Sequence, residues 1–248
     1  MWFSKYLAWI FISITLLGCN SSSKPVIAPS AEQTGQETQE ETASTENVTQ
    51  TPLRIACVGD SLTQGYGYVN AQNESYPVQL SKLIDNTSMQ VKNFGVSNKT
   101  AMSTEINISK TLDPYNKTQE YKDSLAFNPD IVVIMLGTND TKDKNWDKKD
   151  NFIKDYTALI KSYMDLSSKP KMYLCLPTPS FTNIQGMTDN RIKNELIPKI
   201  KQIASNNHLE LIDLHTPFEG KPNVFHDNLH PSKQGAVEIA AIVYEKIF

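Results

Sequence analysis

The sequence predicts an α/β domain whose parallel sheet is covered by helices on both faces, and three observations lead there. Five short apolar or β-branched runs recur, at 53–58, 89–94, 130–136, 171–176 and 209–214. They are near-continuous rather than alternating, which is the pattern of strands buried on both sides. Between and after them lie longer stretches of helical spacing, the order expected of crossover connections.

Each element has its own signal. The first run, Leu53–Val58, stops at Gly59-Asp60-Ser61, three residues that favour turns. A helix follows, with Tyr76, Leu80, Leu83 and Ile84 on one face. The second strand, Met89–Phe94, ends in Gly95-Val96-Ser97-Asn98, and the third, Asp130–Leu136, ends in Gly137-Thr138-Asn139-Asp140. Phe152, Tyr156, Leu159, Ile160 and Tyr163 mark the next helix, and Lys171–Leu176 the fourth strand. Another helix carries Ile192, Leu196, Ile197, Ile200 and Ile203. The fifth strand, Leu209–Leu214, leads through a loop holding Asp227-Asn228-Leu229-His230-Pro231 to a closing helix with Ala236, Ile239, Ala240, Val243 and Ile247. There is no internal repeat.

The first 52 residues stand apart. Residues 1–18 read as a signal peptide: Lys5 is the positive start, and Tyr6 to Gly18 is too short to span a bilayer. Leu16-Leu17-Gly18-Cys19 resembles a bacterial lipobox, which implies acylation at Cys19 and a stable membrane anchor of several acyl chains. Asn20 is not the aspartate associated with inner-membrane retention, so the expected location is the outer membrane or cell surface. Residues 19–52 form the predicted tether, without an aromatic residue and with Lys24 as the sole positive charge. Such a coil spans roughly 30 Å. The folded domain is then 53–248.

Bulk properties exclude some partners. A net charge of −3 and only two arginines, Arg54 and Arg191, argue against a nucleic-acid surface. Cys57 and Cys175 sit in predicted strands that should not be neighbours, and read as free, buried thiols.

Function in such a fold sits beyond the carboxyl ends of the strands. Here four loops at that edge carry Ser61, Gly95, Asn139 and the Asp227–His230 pair. Taken singly, each block has a structural explanation: a turn, a strand end, a helix-capping loop, or a last-helix cap with Ser232 as its first residue. Together the blocks resemble those of the GDSL, or SGNH, hydrolase family, in order and spacing, over the whole domain. That resemblance implies a three-layer α/β/α fold of flavodoxin-like strand order, esterase-type acyl transfer, and Ser61, Gly95, Asn139 and His230 as signature residues. The chemistry of the residues agrees with those roles. Ser61 is the nucleophile, His230 its base and then the acid for the leaving alcohol, and Asp227, three residues away, orients the imidazole. The expected oxyanion hole combines the N–H groups of Ser61 and Gly95 with the Asn139 amide.

Two departures are visible. Thr63 breaks the Gly-x-Ser-x-Gly nucleophile elbow, so that template does not apply. Asn98 stands where many relatives have glycine, although asparagine tolerates left-handed backbone. A zinc set drawn from His215, His226, Asp227 and His230 matches no usual spacing, so neither a metal nor another cofactor is expected. His208 and His215, flanking the fifth strand, read as surface or loop residues.

The expected substrate is an acetylated sugar. Tyr66, Tyr68 and Tyr76 follow the nucleophile and Trp146 follows the Asn139 loop, all candidates for sugar stacking. Arg191 is a candidate partner for a sialic-acid carboxylate. Ser75-Tyr76-Pro77, Asn93-Phe94-Gly95-Val96-Ser97 and Ala126-Phe127-Asn128-Pro129-Asp130 resemble bacterial carbohydrate acetylesterases, sialate O-acetylesterases among them. Two alternatives stand beside this reading: a lysophospholipase or arylesterase with the same residues, and a glycan-binding lipoprotein without catalysis.

Overall fold

The computed structural model describes residues 51–67, 71–103 and 113–248, with backbone alone at 71–72. The leader, Cys19, the tether through residue 50, and Tyr68 lie outside the described residues. No helix among the described residues is long and apolar enough to cross a membrane.

Five strands make one parallel sheet: β1 (Leu53–Gly59), β2 (Met89–Gly95), β3 (Ile131–Met135), β4 (Lys171–Leu176) and β5 (Glu210–Asp213). Their spatial order is β2-β1-β3-β4-β5, every pair parallel. The main helices are α1 (Tyr76–Ile84), α2 (Gln119–Ala126), α3 (Phe152–Met164), α4 (Ile197–Asn206) and α5 (Lys233–Ile247). One of them, α2, carries no predicted signal. Its sequence QEYKDSLA buries only Ser124 completely and leans its partly buried Tyr121 and Leu125 on the core, so apolar periodicity is faint. Ahead of α4 the chain makes a π-helical turn at Ile192–Leu196. Pro198 lies just beyond it and brings no N–H to the helical ladder.

Alternating strand residues feed two cores. Ala56, Val58, Val132, Ile134 and Leu174 face α3 and α4, while Ile55, Cys57, Val133, Tyr173 and Cys175 face α1 and α5. Cys57 and Cys175 are free and fully buried, on strands separated by β3. Burial pushes the Cys57 thiol up to about 12, so neither a thiolate nucleophile nor a ready disulfide is presented there.

The topology places the site. After β2 the chain leaps over β1 to form β3, so the loops following β1 and β3 part in opposite directions between neighbouring strands. A crevice opens at such a switch point. Gly59 is in register with Gly95 on one side and Met135 on the other, which brings the ends of β1, β2 and β3 level.

Candidate active site

Ser61 begins a one-turn helix, Ser61–Gln64, directly beyond β1. Asp60 caps that turn by accepting the Leu62 N–H at 3.0 Å, which fixes the serine at the strand's exit. The turn lies hard against β2. A Cβ on Gly95 would come within 2.3 Å of the Gln64 backbone nitrogen, so only glycine permits this approach.

The loop after β5 supplies the partners. Asp227 Oδ1 accepts the Leu229 and His230 N–H groups at 3.0 and 2.7 Å, closing a tight turn through Asn228 at φ 66°. A bridge between Phe225 and Pro231 holds the base of this loop. Asp227 Oδ2 then lies 2.6 Å from His230 Nδ1, and His230 Nε2 lies 2.9 Å from Ser61 Oγ. With Nδ1 donating to the carboxylate, Nε2 is left as an acceptor toward the serine. Partial burial alone would raise the Asp227 carboxyl. The His230 N–H, the imidazole and the Leu229 N–H outweigh it and hold the group below the usual carboxylate range.

These three side chains open into a cleft of about 300 Å³. Its polar wall includes Ser97, Asn98, Thr138, Asn139 and Lys142, and its apolar wall Leu62, Ile184, Met187 and Leu229. Asn139 Nδ2 donates to Asp60 Oδ2 at 3.2 Å, which commits one of its two N–H groups and leaves the other. Asp60 is therefore a bracket between the nucleophile turn and the Asn139 loop, a link the sequence does not reveal. Burial pushes its carboxyl up to about 7, against the opposing pull of the Leu62 N–H, the Asn139 amide and the Lys142 charge.

The second block departs from expectation. The Gly95 N–H donates to Asn93 Oδ1 at 2.8 Å, and Gly95 does not line the cleft. Its expected contribution as an oxyanion donor is corrected: it permits close packing instead. Asn98 takes the place at the wall, in left-handed backbone at φ 68°. No protein acceptor meets its N–H among the described residues.

Of the aromatic candidates, Tyr66 stands at the site. The residue is 55% exposed, and its ring centroid lies 4.7 Å from that of His230, tilted by 45°. Tyr76 does not reach the cleft: it is a core residue, 1% exposed, packed between β1 and α5. Trp146 is likewise buried, edge-on to Phe152 and donating its Nε1–H to Glu195 at 2.8 Å. Both belong to apolar faces, where a large ring is worth more buried than exposed. Arg191 is also engaged elsewhere, donating to the Thr141 carbonyl at 2.6 Å and Asp143 Oδ1 at 2.8 Å.

The histidines separate. His215 is buried rather than superficial, 3.0 Å from Asp189 and 3.3 Å from Glu219. His208 occupies a left-handed position after α4. His226 stacks on His230 with ring centroids 5.8 Å apart. The ligand-type atoms of His226, Asp227 and His230 lie within 4.8 Å of one another, but the close contacts of Asp227 and His230 are with each other and with Ser61.

Comparison with known proteins finds esterases similar to this chain in sequence and in fold. An acetylxylan esterase of Xylanibacter ruminicola is 35% identical over 77% of this chain, which spans only 42% of that relative's length. Among solved structures, an acetyl xylan esterase superposes with a TM-score of 0.59 at 21% identity, covering 79% of this chain and all of that one (100%). A carbohydrate acetylesterase from Sinorhizobium meliloti gives a TM-score of 0.57 at 19% identity, covering 79% of this chain and 98% of that one. Residues 57–237 match the GDSL-like lipase/acylhydrolase family, a stretch that holds all four blocks, and the chain belongs to that family.

Proposed function

We propose that this carboxylic ester hydrolase removes acetyl groups from carbohydrate hydroxyls, with acetylated xylan-type polysaccharide as its substrate class. The observation that carries the reading is the continuous relay from Asp227 through His230 to Ser61, at 2.6 and 2.9 Å. Ser61 Oγ attacks the acetyl carbonyl carbon while His230 Nε2 takes its proton. The sugar C–O–acyl bond then breaks, and His230 returns the proton to the departing sugar oxygen. A water deprotonated by His230 attacks the acetyl-serine and releases acetate. The negative carbonyl oxygen is met by the N–H groups of Ser61 and Asn98 and by the Asn139 amide.

Several features support the substrate. The cleft is small, and its apolar wall is a few side chains rather than a channel for a long acyl chain. Tyr66 offers an open ring beside His230, suited to a sugar face. Arg191 is committed to the protein's own carbonyl and carboxylate groups, so a neutral sugar is favoured over sialic acid. The relative named for acetylxylan points the same way. We also propose, from the lipobox-like sequence alone, an exported protein anchored through acylated Cys19.

Acetate release from acetylated xylan, acetylated sialic acid and, as a contrast, a long-chain lysophospholipid tests the reading. Acetate is expected from xylan, with a loss of about a thousandfold or more in Ser61→Ala. Equal rates in the two proteins would remove the serine mechanism. Fatty-acid release without acetate would favour the lysophospholipase alternative, and xylan binding without turnover the glycan-binding one.

A further inference from the structure

We infer that Lys142 is a positioning residue for the oxyanion side of the cleft: its ammonium pins Asn98 in the left-handed conformation that keeps the Asn98 N–H available there. The inference rests on the acyl-transfer reading given above. Asn98 has φ 68°, where a residue bearing a Cβ is disfavoured unless something holds it. What holds it is visible: Lys142 Nζ donates to Asn98 Oδ1.

Lys142 is an unusual lysine. The residue is 8% exposed, yet no carboxylate among the described residues lies within ion-pair distance of its ammonium. Lysine is seldom buried without a charged partner, because the ammonium gives up water for little return. Here the partner is a neutral amide oxygen, and both residues line the cleft. Lys142 also lies three residues after Asn139, so its bond ties the loop bearing one amide donor to the residue bearing another. A second tie holds the far end of the same segment: Asp140 accepts the Ala101 and Met102 N–H groups at 2.9 and 2.8 Å. Between these ties the Asn98 turn has little freedom to relax. Where glycine occupied this position the left-handed backbone would need no side-chain restraint, and the lysine would lose its task.

That last point supplies the test. Rates of acetyl-ester hydrolysis are measured for wild type, Lys142→Met, Asn98→Gly and the double variant, with Ser61→Ala as the control for the serine mechanism. Lys142→Met is expected to lower kcat by about tenfold or more, a fraction of the loss when an oxyanion donor is removed outright, with KM within about twofold of wild type. In the Asn98→Gly background the same substitution should cost less than about threefold, the signature of two residues acting through one contact. An equal loss in both backgrounds would overturn the proposal, because Lys142 would then act by its charge alone. A loss confined to KM would overturn it as well, as would an Asn98→Gly protein as inactive as Ser61→Ala. Should Lys142→Met not unfold cooperatively, Lys142→Gln replaces it, and failure of both to fold would make the lysine structural. Activity surviving in Ser61→Ala would instead sink the acyl-enzyme reading and leave the role of Lys142 to the comparison of backgrounds.

Discussion

At the scale of the residue, the side chains of the site are held through hydrogen bonds to two carboxylates, Asp60 and Asp227. Ser61 is placed by the Asp60 cap, His230 by the Asp227 turn, and Asn139 by Asp60 Oδ2. Asn139 thus has one amide N–H committed to Asp60 and one left over, the oxyanion donor proposed above. Removing the amide in Asn139→Ala should lower kcat by about 10²–10³-fold with little change in KM, measured on a short acetyl ester. Tyr76 shows the opposite case. A tyrosine after the nucleophile reads equally as a sugar platform or a packing anchor, and only its burial between β1 and α5 decides for the anchor.

At the scale of the element, the loops after β3 and β4 work as one wall. Arg191 donates to Thr141 and Asp143, and the Asp143 N–H donates to the Gln185 carbonyl at 2.7 Å. The turn it steadies presents Ile184 and Met187 to the cleft. A partly exposed pair of this kind contributes up to about 1 kcal/mol to folding. Arg191→Met should therefore unfold only slightly more easily, while KM rises several-fold and kcat stays within about twofold. If Arg191 instead gripped a substrate carboxylate, the KM change would appear with acetylated sialic acid and not with acetylated xylan. Measuring both substrates separates the two.

At the scale of the whole molecule, two carboxyls are sealed beneath the site. Burial pushes Asp60 and Asp140 up to about 7, with the neighbouring Asp60 charge adding to the effect on Asp140. An unfolded aspartate titrates near about 3.9. Between those values the native state binds more protons than the unfolded chain, so the stability tied to each carboxyl is complete below about pH 4 and is lost as pH rises toward 7. Other carboxylates, such as Asp130 beside Arg54, are held below their usual range and contribute in the opposite sense. A difference measurement cancels them. In urea unfolding between about pH 4.5 and 6.5, the stability of wild type relative to Asp140→Asn should fall by up to about 1.4 kcal/mol per pH unit. A pH-independent difference would mean that Asp140 is ionised throughout.

The strands, four of the five main helices, and the loops that carry the candidate site residues can be read from the amino-acid order alone. Buried strands are written as apolar runs, and amphipathic helices as a repeat in the same residues that fill the core, so both survive in one dimension. The helix α2 escaped because its contacts with the core are few and its composition polar. The Ser61, Asn139 and Asp227–His230 blocks were legible because each ends a strand or follows one, and parallel topology sends all such ends to one edge. Which neighbours they keep depends on the folded packing. Gly95 ends β2 and Asn98 lies three residues on in the loop after it, and the hydrogen bond from Gly95 to Asn93 separates their roles. The Asp60 bracket, the Lys142 tie, and the bonds of Trp146 to Glu195 and of Arg191 to Thr141 join residues more than 40 positions apart. Such contacts leave no periodicity in the sequence, because their distance is set by the fold and not by the chain.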